Sequence, residues 1–325
     1  MCIKVLMAQD VDEAGKKYLV DNGFELVFAK REDPELMKEL IKDCEGVFSK
    51  TFFLSEDILS AGKKLKVVAK HGVGIDNIVD LDTATKLGLY VVNTPLANSD
   101  SVAEHTIGGL LAFSQKTVEM HQATLKADFE AQNCGGMHEI GSKTIGIVGL
   151  GNIGRRVAKI AACGFDMKVI GYDPYAKADV LPDYIEYTDD LDHIYQEADF
   201  VTLHLGATPQ TIGMMGKKQF EKMKDTAVFL NLARGALMVE EDLVEALTTG
   251  QIAGAVLDVY ASEPIEPDNP LLKLDNVLLS PHSAALTDEA LANMSYGGAL
   301  GIVEVLTGKK PSWCLNYDAV NEKRK

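Results

Sequence analysis

Short apolar runs alternate with amphipathic stretches through the N-terminal third of the chain. Residues 3–8, 24–28, 46–48, 67–69 and 90–92 are hydrophobic runs of strand length, while 11–21, 34–43, 55–61 and 80–87 carry apolar positions at helical spacing. Asp33-Pro34 marks the start of the second helix, because aspartate caps free N–H groups and proline fits a first helical turn. This rhythm predicts parallel strands covered by helices.

From Thr144 a second series repeats the rhythm in longer units. Strands are expected at 144–148, 168–172, 199–203, 227–231, 253–257 and 277–279, with helices at 152–163, 217–223 and 239–248. Six such strands fit a doubly wound sheet. Two longer helical patterns stand apart, 99–124 opened by Asn98-Ser99 and 286–307 opened by Thr287-Asp288 and closed by Gly308. With 325 residues and about one domain per 150, two domains are expected, and these long helices are the natural crossings between them. The boundaries that follow are 1–98 with 287–325 for one domain and 99–286 for the other, with Glu322-Lys323-Arg324-Lys325 as a short tail.

Composition narrows the function. Hydrophobic residues at 46% and charged residues at 25% describe an ordinary globular chain and exclude dominant disorder. No run reaches the roughly 18 apolar residues that span a bilayer, and the opening residues read as a strand without a signal-peptide cleavage site, so a cytoplasmic location is expected. The 48 acidic against 32 basic side chains give a formal charge of −16, which repels nucleic acid and anionic lipid, so neither is expected as a partner. Cys2, Cys44, Cys134, Cys163 and Cys314 are widely spaced, with no C-x-x-C pair and no histidine in zinc spacing. They read as reduced thiols, and no metal site is expected.

Gly149-Leu150-Gly151-Asn152-Ile153-Gly154 follows the strand at 144–148 and opens a helix. Glycines at this spacing allow a tight turn, close approach of a pyrophosphate to backbone N–H groups, and close helix–strand packing. The next strand ends in Asp173, 24 residues after Gly149, where a carboxylate can accept hydrogen bonds from the adenosine ribose. The same carboxylate repels the extra 2′-phosphate of NADP, and no arginine follows it, so NAD is the expected cofactor.

The later strands each lead to a polar residue suited to hydride chemistry: Arg234 after the strand at 227–231, Asp258 and Glu263 after 253–257, and His282 after 277–279. Parallel strands end on one edge, so these residues can converge on the cofactor crevice. Taken singly, each also fits a plainer role: Arg234 in a surface ion pair, Glu263 as a solvated loop acid, His282 as a cap or core residue.

Together they resemble the D-isomer-specific 2-hydroxyacid dehydrogenases, most closely the phosphoglycerate dehydrogenase-like branch. The resemblance runs over about 45–310, through His71-Gly72-Val73-Gly74-Ile75-Asp76-Asn77, Asn93-Thr94-Pro95, Ser101-Val102-Ala103-Glu104-His105, the glycine loop, Asn231-Leu232-Ala233-Arg234-Gly235, Leu257-Asp258-Val259-Tyr260-Ala261-Ser262-Glu263-Pro264 and Ser280-Pro281-His282. It implies a Rossmann domain for NAD beside a flavodoxin-like α/β substrate domain, closing over a small 2-oxo or 2-hydroxy acid, in a homodimer. It further implies that Arg234 holds the substrate carboxylate, that His282 exchanges a proton with the substrate oxygen, and that Glu263 pairs with His282. Backbone at Val73 and Gly74 is implied at the substrate carboxylate, Asp258 at the nicotinamide carboxamide, Leu205, Leu232 and Ala233 beside the nicotinamide, and Asn152 and Ile153 at the pyrophosphate. His105 and His121 are expected to be packing or surface residues.

The chain departs from the family pattern in four places. Phosphoglycerate enzymes carry an arginine before the serine of the loop read here as Phe48-Ser49-Lys50-Thr51, and Asp128-Phe129-Glu130-Ala131-Gln132-Asn133 lacks the basic residues of a later substrate-side loop. Those differences favour hydroxypyruvate or glyoxylate over D-3-phosphoglycerate, with Lys50 as partial compensation. On the cofactor side, His204-Leu205-Gly206-Ala207 and Ser283-Ala284-Ala285 replace commoner sequences. A rival of another class is an NAD-responsive corepressor-like binding protein on the same fold. Glu263 argues against a formate dehydrogenase, in which glutamine stands at that place.

Overall fold

The computed structural model describes residues 2–324, and its chain divides into two compact units, one of Met1–Asn98 with Ala285–Lys325 and one of Ser99–Ala284. Lys325, at the end of the expected tail, lies outside the described residues.

The first unit holds five parallel strands, β1 (Lys4–Met7), β2 (Glu25–Phe28), β3 (Gly46–Ser49), β4 (Val67–Lys70) and β5 (Tyr90–Val92), in the order β2-β1-β3-β4-β5. That is the flavodoxin-like order, with its reversal between β1 and β3. β3, β4 and β5 are buried along their whole length, which is why they read as continuous apolar runs, whereas edge strand β2 is partly exposed. Asp33 caps helix Pro34–Ile41 by accepting from Leu36 N at 2.8 Å, and Thr287 caps helix Asp288–Leu306 by accepting from Ala290 N at 3.2 Å. Helix Asp288–Leu306 lies against β3, β4, β5 and helix Glu13–Asp21, so the C-terminal segment completes the core of this unit. Helix Tyr317–Arg324, absent from the sequence reading, takes in Glu322, Lys323 and Arg324 of the expected tail.

The second unit holds seven parallel strands, β6 (Thr144–Val148), β7 (Lys168–Tyr172), β8 (Ile185–Tyr187), β9 (Phe200–Leu203), β10 (Val228–Asn231), β11 (Gly254–Leu257) and β12 (Val277–Leu279). Their order is β12-β11-β10-β9-β6-β7-β8, a doubly wound sheet whose direction of winding reverses between β6 and β9. The expectation of six strands is corrected to seven. β8 has three residues at the sheet edge and buries only Ile185, too short a pattern to read as a strand. Helix Leu191–Glu197 was also not anticipated.

The single helix expected at 99–124 is two, Ser99–Ser114 and Thr117–Leu125. Lys116 breaks it at φ 48°, and the break is held by Gln115 Nε2 donating to His138 O at 2.6 Å and Lys116 Nζ to Gly135 O at 2.8 Å. The first piece packs on helix Asn152–Phe165 and on β11 and β12, and the second buries no residue. Among the described residues no helix is long and apolar enough to cross a membrane.

Candidate active site

The glycine loop joins β6 to helix Asn152–Phe165 and leaves β6 beside the winding reversal. Gly149 turns at φ 102°, and a Cβ there would lie 2.5 Å from His204 O. A Cβ on Gly154 would lie 1.9 Å from Gly149 O, so only glycine lets the helix start this close to the strand. Gly151 is different: nothing lies within 4 Å of the place its Cβ would take, and no side chain caps the helix. An open step at an uncapped helix N-terminus suits a pyrophosphate, which backbone N–H groups and the helix dipole both stabilise. Gly151 and Asn152 are exposed and Ile153 is half-buried.

Asp173 follows β7 and shapes the turn around itself, accepting from Leu150 N at 2.9 Å and Tyr175 N at 2.8 Å. Each carboxylate oxygen has a second lone pair, which leaves acceptor capacity for ribose hydroxyls. Leu205 and Ala233 are partly buried against the core of this unit and Leu232 is buried. His204 takes a hydrogen bond with Thr202 Oγ1 at 3.0 Å, and desolvation lowers its pKa to about 3, so it is neutral.

β10, β11 and β12 deliver the polar residues to one edge. Past β10, buried Asn231 shapes the arginine turn, accepting from Ala233 N at 3.1 Å and donating to Arg234 O at 2.9 Å. His282 Nδ1 and Glu263 Oε2 are 2.6 Å apart, with both side chains partly open to solvent. Glu263 Oε1 also accepts from Tyr260 N at 3.1 Å. Burial works to raise the Glu263 pKa, but the His282 hydrogen bond and charge, the Tyr260 N–H and the Arg234 charge outweigh it and hold it below the usual carboxylate value. The structure therefore brings Arg234 and His282 both within electrostatic reach of Glu263.

His282 sits at φ 52°, a conformation that disfavours any residue but glycine. Asp258, 1% exposed, holds the loop around it: its carboxylate accepts from Ser280 Oγ at 2.6 Å, Ser283 N at 2.8 Å and Ala284 N at 2.9 Å. Tyr260 Oη donates to Ser280 O at 2.8 Å, and burial first, then the Asp258 charge, pushes its pKa up to about 12. His105 Nε2 lies 3.3 Å from Ser280 Oγ, so His105 joins this network and is not only a packing residue. Sequence reasoning gave no role to Tyr260, Ser280 or Asn231, although all three stand inside the motifs.

In the first unit, Val73 and Gly74 form a loop past β4 that is partly exposed. Asn93 Nδ2 donates to Val73 O at 2.7 Å, and Thr94 N donates to Gly72 O at 2.9 Å. His71 is 5% exposed, and desolvation, with help from the Lys50 charge, lowers its pKa to about 4. The placement of Phe48 on a substrate loop is corrected. Phe48 lies in β3, paired with Met7 and Ala69, is fully buried, and fills the space that a Cβ on Gly298 would need. Lys50 is the partly exposed cation past that strand.

Residues 107–284 match the model of the D-isomer specific 2-hydroxyacid dehydrogenase, NAD binding domain. The chain is 38% identical over 319 residues to D-3-phosphoglycerate dehydrogenase of Archaeoglobus fulgidus, covering 98% of this chain and 60% of that protein. It is 35% identical to glyoxylate reductase of Korarchaeum cryptofilum, covering 98% of this chain and 97% of that one. The crystal structure of a glyoxylate reductase from Paecilomyes thermophila superposes with a TM-score of 0.87 at 27% identity, covering 97% of this chain and 98% of the other. The chain spans about 60% of the length of curated phosphoglycerate relatives that it matches.

Proposed function

The chain belongs to the D-isomer specific 2-hydroxyacid dehydrogenase family, with NAD as its cofactor, and from that premise we propose that it moves a hydride between NAD(H) and C2 of a small 2-oxo or 2-hydroxy acid. The observation that carries this reading is the His282–Glu263 pair at 2.6 Å, set with Arg234 on the same strand edge as the glycine loop. When bound, NADH supplies the hydride and NAD accepts it.

Arg234 offers a planar, permanently charged fork for the substrate carboxylate. Because Nδ1 of His282 faces a carboxylate oxygen, the ring keeps one hydrogen on that side, and in the reductive direction it carries a second on Nε2, which it presents to the substrate. As C2 receives the hydride, the oxygen takes a proton from Nε2; in the oxidative direction Nε2 takes it back. Glu263 balances the positive charge of the ring and fixes its orientation. Asp258 has two roles in this proposal, holding the 280–284 loop and accepting from the carboxamide with the remaining lone pair of Oδ2. The glycine loop and Asp173 hold the pyrophosphate and the ribose.

The substrate class we favour is hydroxypyruvate or glyoxylate. Acidic and neutral residues at 128–133 support it, as does the likeness to glyoxylate reductases along nearly their whole length. D-3-phosphoglycerate is the second reading, supported by the relatives that bear that name and by Lys50. Loss of NADH absorbance against glyoxylate, hydroxypyruvate, pyruvate, 2-oxoisocaproate and phosphohydroxypyruvate, with NADPH in parallel, tests both. Turnover of a non-phosphorylated acid supports the first and preference for the phosphorylated one supports the second. Binding of NADH without any turnover sinks both and favours a sensor. A cytoplasmic homodimer completes the proposal, and sedimentation of the purified chain as a monomer would remove the dimer from it.

A further inference from the structure

The reversal of strand order between β1 and β3 is the place where an open parallel sheet leaves a crevice at its carboxyl edge, and ligands bind there as a rule. In this chain three consecutive backbone N–H groups past β3 point at one spot in that crevice. Lys50 N, Thr51 N and Phe52 N all donate to Gln9 Oε1, at 3.0, 2.6 and 2.9 Å, from a glutamine just past β1. Converging N–H groups of this kind make a concave cradle for an anion oxygen. Here a neutral carbonyl fills it.

Gln9 is held firmly in place. Its Nε2 donates to Thr51 Oγ1 at 2.8 Å and Glu32 Oε1 at 2.9 Å, so all its donors and its acceptor oxygen are used. The loop is pinned from other sides as well. Ser49 Oγ donates to Phe52 O at 2.8 Å, and buried Lys70 donates to Lys50 O and, at 2.8 Å, to Asn77 Oδ1. His71 N donates to Ser49 O at 2.9 Å, tying the loop to the segment that leads into Val73-Gly74. The charges nearby are mixed: Lys50 and Lys70 both act on His71, while the Glu32 carboxylate lies against the amide end of Gln9.

We propose that Gln9 is a specificity-determining residue: its amide oxygen occupies the N–H cradle of Lys50, Thr51 and Phe52 and so denies it to a phosphate or carboxylate on the far end of the substrate. The inference rests on the proposed activity and deepens it, selecting 2-oxo acids with an uncharged tail. An incoming phosphate would have to displace an oxygen already held by three donors, and would leave the two Nε2 hydrogens facing it in a different geometry. Removing the glutamine side chain opens the cradle without touching the proposed catalytic residues.

The test compares the parent chain with Gln9→Gly and Gln9→Glu in two assays. In the first, thermal unfolding is followed with and without inorganic phosphate, at fixed ionic strength set with chloride. With NADH saturating the glycine loop in every chain, Gln9→Gly shows a phosphate-dependent rise in Tm larger than that of the parent or of Gln9→Glu. In the second, kcat/KM for phosphohydroxypyruvate is divided by that for hydroxypyruvate. The ratio rises by about tenfold or more in Gln9→Gly, the worth of one or two hydrogen bonds to a charged group, and falls in Gln9→Glu, where a carboxylate keeps the three N–H bonds and adds repulsion. A phosphate-dependent rise in Gln9→Gly no larger than the parent's overturns the proposal, as does an unchanged ratio in Gln9→Gly. If Gln9→Gly does not fold, the ratio in Gln9→Glu decides alone, and a ratio equal to the parent's refutes the proposal. Absence of turnover in every chain would count against the dehydrogenase reading, while the phosphate-dependent unfolding still decides the role of Gln9.

Discussion

Asp258→Ala tests the idea that a buried carboxylate holds the loop that presents His282. Three donors converge on Asp258, from Ser280 Oγ, Ser283 N and Ala284 N at 2.6, 2.8 and 2.9 Å. After truncation the Ser280 hydroxyl can turn to Leu257 O, 3.5 Å away, but the two backbone N–H groups have fixed directions. A buried donor left unpaired costs about 1–3 kcal/mol, so two cost about 4 kcal/mol, and water reaching the half-buried Ser283 brings this to about 3. In a domain of this size each kcal/mol moves Tm by about 2–4 °C, which predicts a loss of about 10 °C. Asp258→Asn keeps the shape and one acceptor oxygen but turns an amide donor toward an N–H, for about half that loss. Turnover should fall further than stability alone accounts for. The left-handed backbone of His282 costs about 1–2 kcal/mol, and without its anchors the loop relaxes away from it, where a displacement of about 1 Å costs about a hundredfold in rate. The assay is thermal unfolding paired with steady-state turnover of the preferred 2-oxo acid. Unfolding of Asp258→Ala within about 0.5 kcal/mol of the parent, the range of an unremarkable surface change, would refute the argument.

His282→Ala should lower kcat by roughly 10²- to 10⁴-fold while fluorescence titration shows NADH binding nearly intact; near-normal turnover removes His282 from the chemistry. Glu263→Gln can still accept from His282 Nδ1 but loses its charge, so kcat should fall less than in His282→Ala, and a larger fall would mean that Glu263 has a role beyond the ring. Asp173→Ala should raise the ratio of kcat/KM for NADPH over NADH by about tenfold, since the repulsion of a 2′-phosphate is lost; an unchanged ratio would show that another group sets the preference. Burial lowers His71 and His204 from 6.5 to about 4 and about 3, so the unfolded chain takes up protons first. Their contribution to stability is complete above about pH 6.5 and is lost as pH falls toward those values, by about 1.4 kcal/mol each at about pH 5.5. Urea unfolding from neutral pH to about pH 5.5 measures it, and a His71→Gln chain that loses as much stability as the parent would contradict the His71 share.

Strand β6 was legible because a parallel strand buried on both faces must be apolar nearly throughout, so it starts and stops where its run does. Helix starts were legible where one residue makes the start, as at Asp33 and Thr287. The break at Lys116 was not, because what makes it is remote: Gln115 and Lys116 spend their side chains on carbonyls of His138 and Gly135, and the apolar pattern runs on past them. β8 escaped for the opposite reason, as a sheet edge asks for little burial and so leaves little pattern.

In the site, what could be read was what the chain carries locally, and what could not was what the fold assembles. Glycine spacing reports the turn directly at Gly154, whose missing Cβ makes room for the carbonyl of Gly149 in the same loop. Phe48 shows the limit of reading by position. It stands two residues before Lys50, yet β3 ends at Ser49, so Phe48 lies inside the buried strand while Lys50 lies in the loop past it, partly in solvent. Asp258 and Gln9 lie beyond that limit. Each is a polar residue just past a buried strand, and each spends its side chain on backbone N–H groups 25 to 26 or 41 to 43 residues away. Backbone donors carry no side-chain signature, so no motif records them. The consequence for this fold is physical: the loops at the carboxyl edges are shaped by side chains that close N–H groups from the strand next door, and a change at such a residue alters the loop that meets the ligand while every residue of that loop stays the same.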